Sequence, residues 1–110
     1  MSLKKTVACL KRHKNFILTT HTNPEGDAIG SELALERLLR SMGKRVTVVN
    51  PGPIPEEYLF LPGIGSVKVM GAFNASKVPC DCFVTVDCSD LFRCGSVAAL
   101  HSKAQTVVNI

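Results

Sequence analysis

The sequence predicts an α/β domain built on a mostly parallel sheet flanked by helices. Three observations carry that prediction. Short, continuous runs of apolar and β-branched residues recur along the chain, as strands buried on both faces require. A stretch of helical periodicity between residues 28 and 42 separates the first two runs, the spacing of a right-handed strand–helix–strand unit. The 110 residues are 45% hydrophobic, enough for one core and too apolar for wholesale disorder.

Taken in order, residues 3–13 predict a short helix with Leu3, Val7 and Leu10 on one stripe. Phe16-Ile17-Leu18-Thr19-Thr20-His21 reads as a buried strand, and Asn23-Pro24-Glu25-Gly26-Asp27 breaks it as a tight loop. The helix over 28–42 places Ile29, Leu33, Leu35, Leu38, Leu39 and Met42 on a wide apolar face, with Asp27 as its cap and Gly43 as its stop. Residues 45–50 give the second strand. The proline-rich stretch 51–62 is loop with one helical turn near Glu56–Phe60, and 67–70 is a short edge strand. Residues 83–87 form another buried strand that ends in an acid. A helical pattern over 91–103, weakened by Gly95, leads to a last strand at 106–110.

Composition removes several classes of function. No apolar run is long enough to span a membrane, and the apolar stretch near the start is too short for a secretory leader. Five cysteines at irregular spacings do not make a disulfide scaffold, so the expectation is a cytoplasmic chain with reduced thiols and no membrane partner. Cys80, Cys82, Cys88 and Cys94 match no paired zinc-ligand spacing and read as small buried hydrophobes. His13 and His101 read as ordinary surface residues. The net charge of +4 is uneven, with Lys4, Lys5, Lys11, Arg12 and Lys14 near the start and no acid among them. That run would favour polyanions, although a solvated helix face accounts for it more simply. The absence of Trp and the single Tyr exclude a base-stacking platform, and no GxGxxG fingerprint is present.

Ionisable residues gather where strands end. In parallel sheets ligands bind outside the carboxyl ends of the strands. The first strand ends at His21 and runs into Glu25 and Asp27, and the later one ends at Asp87. An imidazole and three carboxylates converging on one edge repel one another unless a cation or protons neutralise them. Such a mixed donor set suits a divalent ion such as Mn²⁺ or Zn²⁺. Pro24 fixes one backbone angle, and Gly26 is expected to take a conformation closed to other residues, so that positions 25 and 27 face two neighbouring ions. A plain turn with Asp27 as an N-cap and Glu25 in solvent satisfies the same spacing.

The run His21-Thr22-Asn23-Pro24-Glu25-Gly26-Asp27-Ala28-Ile29-Gly30-Ser31 resembles the first motif of the DHH phosphoesterases, and within them the nanoRNase type, the oligoribonuclease/3′-phosphoadenosine 5′-phosphate phosphatases. Val86-Asp87-Cys88-Ser89-Asp90, followed by Arg93 and Gly95, resembles the second motif, and Leu61-Pro62-Gly63 sits where these proteins often have such a triplet. The resemblance implies a Rossmann-like catalytic domain. His21 and Glu25 would bind one metal, usually Mn²⁺ with Mg²⁺ as another option, Asp27 would bind a second, and Asp87 would bridge both. His21, Asp27 and Asp87 would then be catalytic, a hydroxide between the ions attacking phosphorus. The implied substrates are short single-stranded oligonucleotides or nucleotide phosphates.

Two departures from the family stand out. Glu25 occupies a position where the family usually has Asp, and the extra methylene is large against the roughly 0.2 Å tolerance of ligand distances. Residues 106–110 resemble the strand that leads into the Asp-His-His motif, and the chain stops there. The expectation is therefore that residues 1–110 are an incomplete N-terminal catalytic domain, with the remaining ligands and the C-terminal substrate domain absent. Little activity alone and a tendency to form a homo-dimer through the last strand follow from that. Alternatives are a non-catalytic nucleotide- or phosphate-binding module, and a DHH relative acting on pyrophosphate or cyclic dinucleotides.

Overall fold

The computed structural model describes residues 2–72, 74–88 and 91–110. Its elements, in chain order, are α1 (Leu3–Arg12), β1 (Asn15–Thr19), α2 (Gly26–Ser41), β2 (Arg45–Asn50), β3 (Lys68–Val69), β4 (Cys82–Thr85) and β5 (Thr106–Asn109). Short 3-10 turns interrupt the connections at Glu56–Tyr58, Ile64–Ser66 and Ala75–Lys77, and a longer 3-10 segment, Leu91–Lys103, kinks at Gly95. The five strands form one sheet in the order β3-β2-β1-β4-β5, and every pairing is parallel. The α/β reading is therefore correct, and the sheet is wholly parallel.

Both faces of the sheet are covered, which explains why the strands read as unbroken apolar runs. On one face Phe16, Leu18, Val46, Val48, Val84 and Val108 pack with Cys9 of α1 and Leu39 of α2. On the other, Ile17, Val49 and Phe83 pack under Val97 and Leu100 of the kinked segment. Adjacent residues of one strand thus serve opposite cores, the two-residue period of a pleated strand. Val107 of the edge strand β5, and Ile110 just after it, are exposed.

The helices differ from expectation in how they are rotated. In α1 the stripe of Leu3 and Val7 faces solvent, and the one buried position is Cys9. His13, read from sequence as a surface residue, is only 5% exposed. It follows the last turn of α1 and turns into the protein, where its Nε2 lies 3.0 Å from the Thr106 hydroxyl. His101 is exposed, as expected. The inward stripe of α2 is Ala28, Ile29, Glu32, Glu36 and Leu39, whereas Leu38 and Met42 of the anticipated apolar face are exposed. The helix ends as the sequence indicates. Gly43 takes φ 81°, and the amides of Gly43 and Lys44 return to the carbonyls of Arg40 and Leu39.

Two buried glutamates on α2 fix this rotation, in different ways. Glu36 is a partnered charge: Arg40 lies 3.3 Å from its carboxylate and the Ser66 hydroxyl donates to both oxygens at 3.1 Å. Glu32 is fully buried and accepts one hydrogen bond, from the Asn50 amide at 2.9 Å. Its other oxygen, Oε2, and the Asn50 carbonyl oxygen Oδ1 have no hydrogen-bond partner among the described residues. A proton on Oε2 would turn that orphaned acceptor into a donor. Burial accordingly pushes the Glu32 carboxyl from its ordinary 4.5 to about 8, with the Glu36 charge adding to the rise and the Asn50 bond opposing it.

This has a direct consequence for stability. Between pH 4.5 and about 8 the folded chain holds a proton on Glu32 that the unfolded chain has released, so stability declines as pH rises through that window. At about 1.36 kcal/mol per pH unit the loss is on the order of 5 kcal/mol. Glu32→Gln keeps the amide-like geometry without the titration. Urea melts at pH 5, 6.5 and 8 should show the decline flattened in the variant; parallel pH profiles for the two proteins would show that Glu32 does not carry it.

Candidate functional site

The chain builds β1, then β2 and β3 to one side, and then β4 and β5 to the other, so the order of strands reverses between β1 and β4. Side chains leaving the carboxyl ends of those two strands border a crevice that the neighbouring crossovers leave open. Register decides which ones meet. Thr19 pairs with Thr85 at the end of the ladder, and the same alignment carried two residues further sets His21 against Asp87. Nε2 of His21 lies 3.9 Å from Oδ2 of Asp87.

The backbone here is tied from three directions. The Val86 amide donates to the Thr19 carbonyl at 2.9 Å, the Asp87 amide to the Ile110 carbonyl at 3.0 Å, and the buried Thr20 hydroxyl to the Val86 carbonyl at 2.7 Å. Between these anchors Asp87 adopts φ 52°, a left-handed conformation that few residues with a side chain tolerate. It points the carboxylate out of the strand and leaves it about half exposed. His21 is positioned by its other nitrogen: Nδ1 lies 2.7 Å from the Thr22 carbonyl. That oxygen can only accept, so Nδ1 carries a proton, and Nε2 is the nitrogen left facing Asp87. An outward-facing imidazole with its second nitrogen on a carbonyl is the arrangement of a metal-ligating histidine.

The loop after β1 has a different build from the one anticipated. Gly26 does not take a left-handed conformation; the left-handed residue is Asn23, at φ 53°. A Cβ at Gly26 would lie 3.1 Å from the Tyr58 ring, a tight contact that the ring would have to relieve by shifting. The helix also begins earlier, at Gly26, so its N-cap is Glu25, whose side chain makes no capping bond. Asp27, expected as the cap, stands inside the first turn. Its carboxylate accepts from the Ala28 amide at 2.9 Å, and its carbonyl accepts from the Ser31 hydroxyl at 2.7 Å.

Two grooves meet at Asp87. One, of about 530 Å³, runs along α2 and includes Asp27, Ser31, Leu35, Asp87 and Ile110. The other, of about 460 Å³, includes His21, Asp87, Arg93, Asn109 and Ile110. Asp87 is thus the shared wall between Asp27 on one side and His21 on the other. Glu25 is exposed and lines neither groove. Ser89 and Asp90, the end of the second sequence motif, lie outside the described residues. Leu61, Pro62 and Gly63 pack beside Leu33 and Arg37 on the flank of α2, away from these grooves. Asn109 was not picked out from the sequence; its Oδ1 accepts from the Thr85 hydroxyl at 3.0 Å. Its place at the end of a predicted parallel strand was the available signal.

Gly95 holds the second groove in shape. It takes φ 58° and ψ −137°, and a Cβ would come within 3.0 Å of Pro51 and 3.2 Å of Thr22. The close approach lets the Arg93 carbonyl accept from the Thr22 amide at 2.8 Å. The sheet's opposite edge holds a separate cluster, in which Cys9, His13 and Cys82 place one donor atom each within 4.8 Å of the others. Burial and the neighbouring Cys9 thiol push the Cys82 thiol up. Among the described residues no such cluster forms from Cys80, Cys82, Cys88 and Cys94, although Cys88 and Cys94 lie 3.2 Å apart.

No family model matches the chain. Among solved structures it is similar to an exopolyphosphatase-related protein from Bacteroides fragilis, with a TM-score of 0.81 at 22% identity. The match covers 96% of this chain and 33% of that one, so the chain spans about a third of the length of the structure it resembles. At this identity the likeness is one of fold.

Gly95→Ala combines a forbidden backbone angle with a steric overlap, and should cost about 1–3 kcal/mol. Urea denaturation measures the loss. A variant as stable as the parent would mean that the Thr22–Gly95 contact does not constrain the site.

Proposed function

We propose that this chain carries the phosphate-hydrolysing metal centre of a DHH-type phosphoesterase, as the N-terminal part of a longer enzyme. The observation that supports this most strongly is the pairing of His21 with Asp87 across the strand-order reversal, with Asp27 lining a groove that Asp87 shares. The similarity of fold to an exopolyphosphatase-related protein supports hydrolysis of a phosphoester or phosphoanhydride. The resemblance of the first motif to the nanoRNase type favours short oligonucleotides or 3′-phosphoadenosine 5′-phosphate as the substrate.

The donor set fits two hard divalent ions such as Mn²⁺: one lone-pair nitrogen and carboxylate oxygens on a solvent-accessible edge. His21 and Asp27 would each hold one ion and Asp87 both. Bound there, such ions supply Lewis-acid charge and a water of lowered pKa. The remaining work falls to the chain. The Thr22 carbonyl keeps His21 in the ligating tautomer, and the strained Asp87 backbone, fixed by Thr19, Thr20 and Ile110, holds the shared carboxylate between the grooves. Arg93, in the groove with His21 and Asp87, is placed to orient a phosphate by charge and hydrogen bonding. Glu25, outside both grooves, contributes least to this set.

Mn²⁺ binding followed by electron paramagnetic resonance tests the reading. Asp87→Asn should weaken binding at least about tenfold, His21→Asn comparably, and Glu25→Gln much less. Equal affinity of the Asp87 variant and the parent would overturn it. Hydrolysis of dinucleotides by the 110-residue chain with Mn²⁺ is expected to be slight; turnover matching an intact two-domain relative would refute its being a partial catalytic unit.

A further inference from the structure

The opposite edge of the sheet carries a second donor cluster of different chemistry. Cys9 and His13 are separated by one helical turn at the end of α1, where the His13 amide donates to the Cys9 carbonyl at 3.2 Å. Cys82 is the first residue of β4. The three are 3%, 5% and 0% exposed, and their donor atoms lie within 4.8 Å of one another. Two thiols and an imidazole converge in this way at one end of a core otherwise made of Phe16, Leu39, Val46 and Val84.

We propose that Cys9, His13 and Cys82 form a Zn²⁺ site at the amino edge of the sheet, distinct from the carboxyl-edge centre.

The surroundings of His13 support it. Nδ1 lies 3.6 Å from the Asp81 carboxylate, and Nε2 lies 3.0 Å from the Thr106 hydroxyl. Whichever nitrogen ligates, the other retains an oxygen partner, as metal-bound imidazoles nearly always do. Asp81 is itself held, accepting from the Lys14 amide at 3.2 Å and the Asn15 amide at 2.8 Å. It is a positioning residue rather than a ligand. Two thiolates neutralise a divalent ion, so the loaded site buries no net charge. Thiolate and imidazole donors select Zn²⁺ over the harder ions that suit His21, Asp27 and Asp87, and three protein donors leave the fourth tetrahedral position to water. The ion would join α1 to β4 across most of the sequence, where α1 otherwise buries little.

The test uses the whole chain, stripped with a chelator and desalted. Titration with Zn²⁺ against a chromophoric chelator should show one ion per chain, and Co²⁺ should give thiolate charge-transfer and tetrahedral ligand-field bands. Cys9→Ser and Cys82→Ser should abolish the charge-transfer bands, and Asp81→Asn should weaken affinity about 10–100-fold. Asp87→Asn should leave all of this unchanged. A measurement on the unmodified chain covers loss of folding in the variants: Zn²⁺ should slow alkylation of Cys9 and Cys82, mapped by mass spectrometry, but not of Cys80. Failure to take up Zn²⁺ stoichiometrically, cobalt bands that survive in folded Cys9→Ser, or alkylation of Cys9 and Cys82 indifferent to Zn²⁺ would each overturn the proposal. None of these outcomes bears on Mn²⁺ binding at Asp87.

Discussion

The parallel register of β1 against β4 is the constraint on which the rest of the candidate site depends. Once Phe16 pairs with Cys82 and Thr19 with Thr85, the residues that leave the two strands have no freedom to meet other partners. A slip of one residue would turn every side chain of the strand to the opposite core, exchanging Phe16 and Leu18 for Ile17. The buried apolar pattern therefore enforces the alignment that sets His21 against Asp87. Position in the sheet adds the opening, because β1 and β4 flank the point where the strand order reverses.

The same sheet separates two kinds of chemistry. Hard oxygen donors and one imidazole occupy the carboxyl edge, beside open grooves. Soft thiols and a buried imidazole occupy the amino edge, closed over by α1. Five-residue β1 stands between them, roughly 15 Å of strand at about 3.3 Å per residue. Lys11, Arg12 and Lys14 lie at this amino edge, where α1 passes into β1, and do not line the grooves around Asp87. The basic run thus reads in the structure as a solvated surface. Among the described residues no helix is long and apolar enough to cross a membrane.

Glu32 illustrates what the second turn of α2 gives up to be placed correctly. A carboxyl with one hydrogen bond in a dry interior is costly when ionised, and the protein meets that cost by keeping a proton on it. The bond to Asn50 fastens α2 to the last residue of β2, at the edge where Asp27 must be presented. An apolar residue would pack there without such directionality. Glu36, with Arg40 and Ser66, fastens the next turn.

Most of the fold was legible in the sequence because buried parallel strands need continuous apolar runs, and helix and loop boundaries need Gly43 and the prolines of 51–62. The members of the carboxyl-edge site were legible for the same reason: a polar residue that ends a buried strand must emerge at its edge, as His21 and Asp87 do. What the sequence could not set was rotation and reach. Leu38 and Met42 look as apolar as Leu39, and only Asn50 and Ser66, distant in the chain, turn Glu32 and Glu36 inward instead. His13 looks like a surface residue until Asp81 and Thr106, brought alongside by β4 and β5, give its ring two partners. Gly26 lies close against Tyr58, and Gly95 is demanded by Pro51 and Thr22, contacts with no local signature. The chain's own pattern thus determined the elements and the strand ends. Tertiary structure alone decided which buried polar groups find partners, because hydrogen bonds and packing between distant segments exist only once the sheet has brought them together.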